Sequence, residues 1–324
     1  MSAEKEKTNI IKKILGNPVS VPYIALIIVF IISTIASPDI FPTYSNIMNI
    51  LRQASIVGVV SIGMTVVLLV GGIDLSVTSI MAITACLLAD MLEAAVNNGE
   101  KGITIGPVIL VLLLGSFIGL INGIIIVTRK LEAFIVTLAM NMIVKGIVMV
   151  YTKGAPGGEV TEFWENFGSG FAFGIPCAVL LYLAMMVIFM IVLHKTIYGR
   201  HIYAIGSNAE AARLTGIKVK FNKIMAYVLC GFTAALAGVM LMARVRVGEP
   251  NGSTGYDMDA LAAAVIGGTA MSGGKGGLAG TLAGVIIMAI VNNILNLVGA
   301  DPNLQSLIKG LIILVAVVFQ KQDK

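Results

Sequence analysis

GMTVVLLVGGIDLSVTSIMAITACLLAD, residues 63–90, sets two apolar runs around an interruption, GGIDLS, that holds two glycines, an aspartate and a serine. A soluble helix shows a polar face every three or four residues. Neither flank does, so both are apolar all round, as helices surrounded by lipid or by other helices are. Working outward, runs of the same kind recur near 20–36, 54–70, 76–92, 106–127, 134–151, 173–193, 224–243, 259–271, 278–299 and 304–319. About 20 apolar residues cross a bilayer. The expected fold is therefore an all-α integral membrane protein, a polytopic bundle of about ten transmembrane helices, some short or broken. Residues 54–92 read as a hairpin around GGIDLS, and 259–271 is short enough to be re-entrant.

Composition agrees. Of 324 residues, 57% are apolar and 12% charged, against about 25% charged in soluble domains. A water-soluble globule could not hide that much apolar surface. The net charge of +5 is better read by position than as a sign of nucleic acid, because Lys and Arg flanking apolar spans set orientation. Most of them fall in the N-terminal segment, at Arg129 and Lys130, between Lys195 and Lys223, at Lys275 and at the C-terminus. All these segments lie on one side if ten crossings start inside. The loop from Lys153 to Gly170, with Glu159, Glu162, Trp164 and Glu165, is acidic and carries an interface-type aromatic, which suits the outside. The expected division is a cytoplasmic tail at 1–19, one transmembrane domain at 20–320 with a cytoplasmic loop at 195–223, and a cytoplasmic C-terminus at 321–324. No small-residue cleavage site follows MSAEKEKTNIIKKIL, so the tail reads as retained.

Several function classes lose support. Cys86, Cys177 and Cys230 each sit inside an apolar run, and His194 and His201 lack ligand neighbours, so disulfides and zinc are not expected. GGTAMSGGKGG (267–277) is not a phosphate loop, because Gly276 follows Lys275 where Ser or Thr is required and Thr269 stands at the first glycine position. No ATP site, metal site or cofactor site is expected in this chain. No Ser/His/Asp set, HExxH or catalytic carboxylate pair stands out, which argues against an enzyme.

Four features remain. In SNAEAARLTG, Ser207 followed by Glu210 has the spacing of a capping box and Gly216 that of a left-handed stop, which predicts a short helix. So short a helix does not stand alone in water. Its small apolar face, Ala211, Ala212 and Leu214, packs either on its own bundle or on a cytoplasmic partner. Asp74 with Ser76 marks a broken helix facing a cavity or partner, or else an aspartate capping the helix that follows. Asn292, Asn293 and Asn296 share half of one helix, and Asn122 and Asn141 lie in two others. Such neutral amides suit an uncharged hydroxyl-rich solute, and suit interhelical bonding equally. Arg244 and Arg246 fall on the outer side, free to grip an external protein or to pair with Glu249, Asp257 or Asp259. Gly115, Gly119 and Gly123, like Gly280 and Gly284, have the spacing of closely packed helices. VGGIDLS (70–76) and IGGTAMS (266–272) faintly echo each other, as duplicated transporter halves do.

GMTVVLLVGGIDLSV (63–77), GLINGIII (119–126), FIVTLAMNMI (134–143), YGRHIYAIGSNAEAARLTGI (198–217), GYDMDALAAAVIGGTAMSGGKGG (255–277) and NNILNLVGADPNLQSLIKGLIIL (292–314) together resemble the permease subunits of bacterial ABC importers for monosaccharides, most nearly those for ribose. The resemblance implies an ATP-driven, binding-protein-dependent importer working by alternating access in the bacterial cytoplasmic membrane. The implied partners are a second permease copy, two ATP-hydrolysing subunits that hold ATP and Mg²⁺, and an extracytoplasmic sugar-binding protein. It places a coupling helix on Ser207, Asn208, Glu210, Ala211, Ala212, Leu214 and Gly216. Read from position and residue type within that mechanism, Arg244 and Arg246 are expected to dock the binding protein, and Asp74, Ser76, Asn122, Asn141, Asn292 and Asn296 to be pathway or gate positions. Ala139-Met140-Asn141 stands where relatives often carry Gly-Thr-Met. The alternative reading is a proton-coupled sugar symporter with Asp74 as relay.

Overall fold

The computed structural model describes residues Ser20 to Phe319. The tail 1–19 and the end 321–324 lie outside the described residues, as does residue 320. Among those described, thirteen helices follow one another: α1 Ser20–Ala36, α2 Tyr44–Leu69, α3 Val77–Asn97, α4 Ile105–Arg129, α5 Ala133–Thr152, α6 Glu162–Ser169, α7 Cys177–Lys195, α8 Ile197–Ser207, α9 Ala209–Leu214, α10 Val219–Val245, α11 Tyr256–Ile266, α12 Leu278–Leu297 and α13 Pro302–Phe319. A minimal hairpin, β1 Phe171–Ala172 with β2 Ile175–Pro176, sits before α7.

Each of the ten apolar runs becomes a helix. Seven of these are long and apolar enough to cross a membrane, and α1 and α13 are shorter apolar helices. The run at 259–271 departs from a plain crossing. Its helix, α11, has 11 residues, a rise of about 16 Å against a hydrocarbon core of about 30 Å. It stops at Gly267, and a glycine-rich segment turns back before α12, with Ala270 N–H donating to Lys275 O at 3.0 Å. The run at 54–92 is two separate long helices joined by Val70–Ser76.

Burial sorts the helices. Positions 54–69 of α2 are buried without interruption, and α10 is buried over most of its length. These two form the centre, and α10 packs against α4, α2 and α3. The α4 glycines permit that approach. A Cβ on Gly115 would stand 2.5 Å from Ala235 Cβ, and one on Gly119 would enter the Tyr227 carbonyl. Gly280 and Gly284 likewise seat α12 on the backbone of Gly267 and Ala263. Ile27, Ile31, Ile109, Leu113, Ile143 and Val150, on α1, α4 and α5, turn outward. The outer helices thus present the apolar surface that lipid requires.

Loops gather at two ends of unlike charge. At one end lie 70–76, 130–132, 196–218 and 267–277, joined where Gly274 N–H donates to Leu69 O at 3.0 Å and Tyr203 Oη donates to Gly276 O at 3.0 Å. This end carries Arg129, Lys130, Lys195 and the Lys218, Lys220, Lys223 cluster. At the opposite end Gly157 bridges to Gly248, and Phe163 N–H donates to Lys101 O at 3.1 Å. Trp164 is not an exposed interface aromatic. It is 5% exposed, packs edge-on to Phe163 and Phe167, and donates its indole N–H to Ile103 O at 3.2 Å.

Candidate translocation and coupling site

The helix α2 ends where Gly71 N–H bonds Leu68 O and Gly72 N–H bonds Val67 O, with Gly71 at φ +76°. That pair of bonds is a Schellman stop, which favours glycine at the left-handed residue. The chain then folds Asp74 into the protein, fully buried. Asp74 Oδ1 accepts the Ser76 N–H at 3.0 Å and the Ser76 hydroxyl at 2.6 Å. Asp74 thus shapes the entry to α3 as a side-chain turn from a buried position, while the residue that caps α3 is Ser76 and neither cavity beside the break is lined by Asp74. Asn122 of α4 donates Nδ2 to Ser76 Oγ at 2.9 Å. Cys230 of α10 is a further polar neighbour of Asp74, and Thr137 of α5 donates to Ile73 O at 3.3 Å. Three helices thus converge on one break.

Of the other expected pathway amides, Asn141 joins this side of the bundle, accepting the Thr78 hydroxyl at 3.1 Å. Asn292 and Asn296 do not. Asn292 donates to Asp259 Oδ2 at 3.1 Å, Asn293 exchanges bonds with Asn46 of α2, and Asn296 accepts from Gln305 of α13 at 2.9 Å. Each amide bonds a different neighbouring helix, the interhelical arrangement. Asp259 also pairs with Lys309 at 3.1 Å, tying α11 to α13. The sequence signal was an ionisable residue in an apolar run, but its partner lies 50 positions away.

The 196–218 loop corrects the capping scheme. Ser207 is the last residue of α8, and its hydroxyl bonds back to Tyr203 O at 2.9 Å. Asn208 is the cap: its Oδ1 accepts the N–H groups of Glu210 and Ala211 at 3.0 and 2.9 Å. Glu210 pairs with Arg213 instead of closing a box, and the guanidinium bond holds its carboxyl below the ordinary value. The stop is as read: Gly216 has φ +85°, its N–H bonds Arg213 O at 3.0 Å, and Ile217 N–H bonds Ala212 O at 3.1 Å. The apolar face divides. Ala212 is buried against the bundle, whereas Ala211 is exposed and Leu214 is 73% exposed.

Sequence reasoning missed Gly206 on α8. A Cβ there would enter the Leu69 carbonyl and the Gly274 N–H, so α8 backbone touches both helix breaks at one point. At the far end Arg244 and Arg246 are exposed, and Arg246 lies 3.5 Å from Glu165 of α6, not from the acids expected to pair with it.

Residues 46–317 match the family described as the permease component of the branched-chain amino acid transport system. The chain belongs to this family of ABC-importer permeases. Ribose import permease protein RbsC of Escherichia coli K12 is 41% identical to it over 307 residues, 93% of each chain. RbsC of Bacillus subtilis 168 is 41% identical over 306 residues, 93% of this chain and 92% of its own. L-arabinose transport system permease protein AraH of E. coli K12 is 37% identical over 294 residues, 91% and 88% respectively. No solved structure matches the chain. As an ABC-importer permease it is a multi-pass, non-catalytic transport subunit that needs ATPase and binding-protein partners, and ATP and Mg²⁺ belong to the ATPase. Family membership displaces the symporter alternative.

Proposed function

We propose that this permease imports a monosaccharide, ribose or an arabinose-like pentose, across the bacterial cytoplasmic membrane with its basic end in the cytoplasm. The sugar class rests on what the similar permeases are named for, and the orientation on the charge difference between the ends. The coupling element is α8–α9, gripped by an ATPase subunit through exposed Ala211 and Leu214, with Asn208 and Gly216 setting its ends. One observation carries the mechanism: α8 meets both helix breaks at Gly206. Motion of α9 reaches the Asp74 turn through backbone contacts, with no side-chain relay between. Asp74, Ser76, Asn122 and Asn141 are the gate positions, while Asn292 and Asn296 hold helices together. Arg244 and Arg246 sit at the end where a loaded binding protein docks. A second permease copy and two ATPase subunits complete the assembly.

The test is reconstitution with binding protein outside and ATP inside. The expected result is labelled ribose or arabinose accumulation that needs every component and survives collapse of the proton gradient. Accumulation by the permease alone would overturn the reading.

A further inference from the structure

Thr137, Asn141 and Lys145 are spaced by four on α5 and share one face. Thr137 reaches the Asp74 turn, Asn141 bonds Thr78 of α3, and the Lys145 ammonium donates to Pro250 O at 2.7 Å and Asn251 Oδ1 at 3.0 Å. One polar line therefore runs from the helix break to the loop between α10 and α11. Against its far half lies a recess of about 190 Å³ lined by Thr78, Ser79, Asn141, Lys145, Thr254 and Asp257. A second cavity, of about 430 Å³, opens beyond the break at the basic end, lined by Gly71, Gly72, Ala133 and Lys223 among others. Asp74 to Val77 between them are buried.

The far recess has unused bonding capacity of a particular kind. Asn141 gives its carbonyl oxygen to Thr78 and keeps its amide N–H groups. Lys145 has three donors and engages two acceptors. Asp257, in the first turn of α11, takes part in none of the ion pairs among the described residues. Donors and a carboxylate thus line one small space whose volume equals roughly six waters of liquid. Vicinal hydroxyls, each able to give and accept a bond, match that set, and a single sugar ring matches the volume.

Resting on the importer reading above, we propose that the recess between α3, α5, the α10–α11 loop and the start of α11 is a transient monosaccharide subsite, with Asn141 and Lys145 donating to ring hydroxyls and Asp257 accepting from them. The Asp74 turn closes its inner side.

Thr254 on the rim bonds its own hydroxyl back to Asn251 O and serves as a reporter. In the complete reconstituted importer carrying Thr254→Cys and Cys177→Ser, a small thiol reagent is applied with excess ribose, excess arabinose or isosmolar glycine betaine. One of the sugars should slow labelling by about threefold, as two-thirds occupancy gives, and betaine should not. Adding Asn141→Leu should remove the protection while labelling without sugar continues, which also reports an intact recess. Absence of protection by a sugar that the same vesicles import, or equal protection by betaine, overturns the subsite. Failure of the natural sequence to import either sugar overturns the functional reading instead.

Discussion

The two helix breaks at the basic end begin alike and are held differently. Gly71 and Gly72 stop α2 with the same pair of backbone bonds by which Gly268 and Thr269 stop α11, and the left-handed residues are Gly71 at φ +76° and Gly268 at φ +87°. They meet through Gly274 and Leu69, and a buried Thr65–Thr281 hydroxyl contact at 2.9 Å joins the helices beside them. Beyond the stop they diverge. The first break is short and fixed by side chains, with Asp74, Ser76 and Asn122 in one chain of hydrogen bonds. The second is longer and rich in glycine, with Gly273, Gly274, Gly276 and Gly277 all at positive φ, and the Tyr203 hydroxyl ties it to α8. The polar turn and the glycine-rich segment thus rest on one α8 contact, the point through which the proposed coupling motion reaches both.

Substitutions can separate these descriptions. Gly206→Val, which presses on both breaks, should have the largest effect: ATP-driven uptake falls about 100-fold, equivalent to loss of roughly 3 kcal/mol of coupling. Uptake within a few-fold of normal would mean that the breaks do not share this contact. Next, alanine at Gly71 of the first break and at Gly273 of the second, both at positive φ, should differ. Gly273→Ala places its Cβ 2.9 Å from Gly71 N and 3.0 Å from Gly206 Cα, while at Gly71 the nearest atom is Ser272 O at 3.4 Å. Gly71→Ala then carries backbone strain alone, about 1–2 kcal/mol, and Gly273→Ala carries that plus crowding. Thermal unfolding in detergent should show the lower midpoint for Gly273→Ala, and the reverse order would break the comparison. Smallest in reach, Ser76→Ala leaves Asn122 Nδ2 and one Asp74 bond unmade, a loss of about 1–3 kcal/mol confined to the first break. Labelling at Thr254→Cys should report that opening, with no change at a cysteine placed beside Gly276.

Much of this was legible in the sequence because lipid imposes a simple rule. Ten apolar runs predicted ten helices, since a membrane helix must satisfy its own backbone and show apolar side chains. The stop at Gly216 was legible too, because only local backbone geometry is involved. The cap was not: Ser207 and Asn208 are both good caps, and the choice fell to Asn208 because α8 runs on through Ser207. The Asp74 break stood out as a charge among apolar residues, but its partners on α4, α5 and α10 are set by packing. Asp259 with Lys309, Trp164 beneath Ile103, and Gly206 against Leu69 depend on contacts across long stretches of chain. Periodicity carries no record of them.

The central claim is that α9 is the part a motor subunit holds. A photo-crosslinking residue at Leu214 in the complete importer tests it most directly, with the buried position Ala212 and the far-end position Phe163 as comparisons. Capture of the ATPase subunit from position 214, and not from 212 or 163, is the expected result. Capture from 163, or none at 214 in an importer that transports, would contradict it.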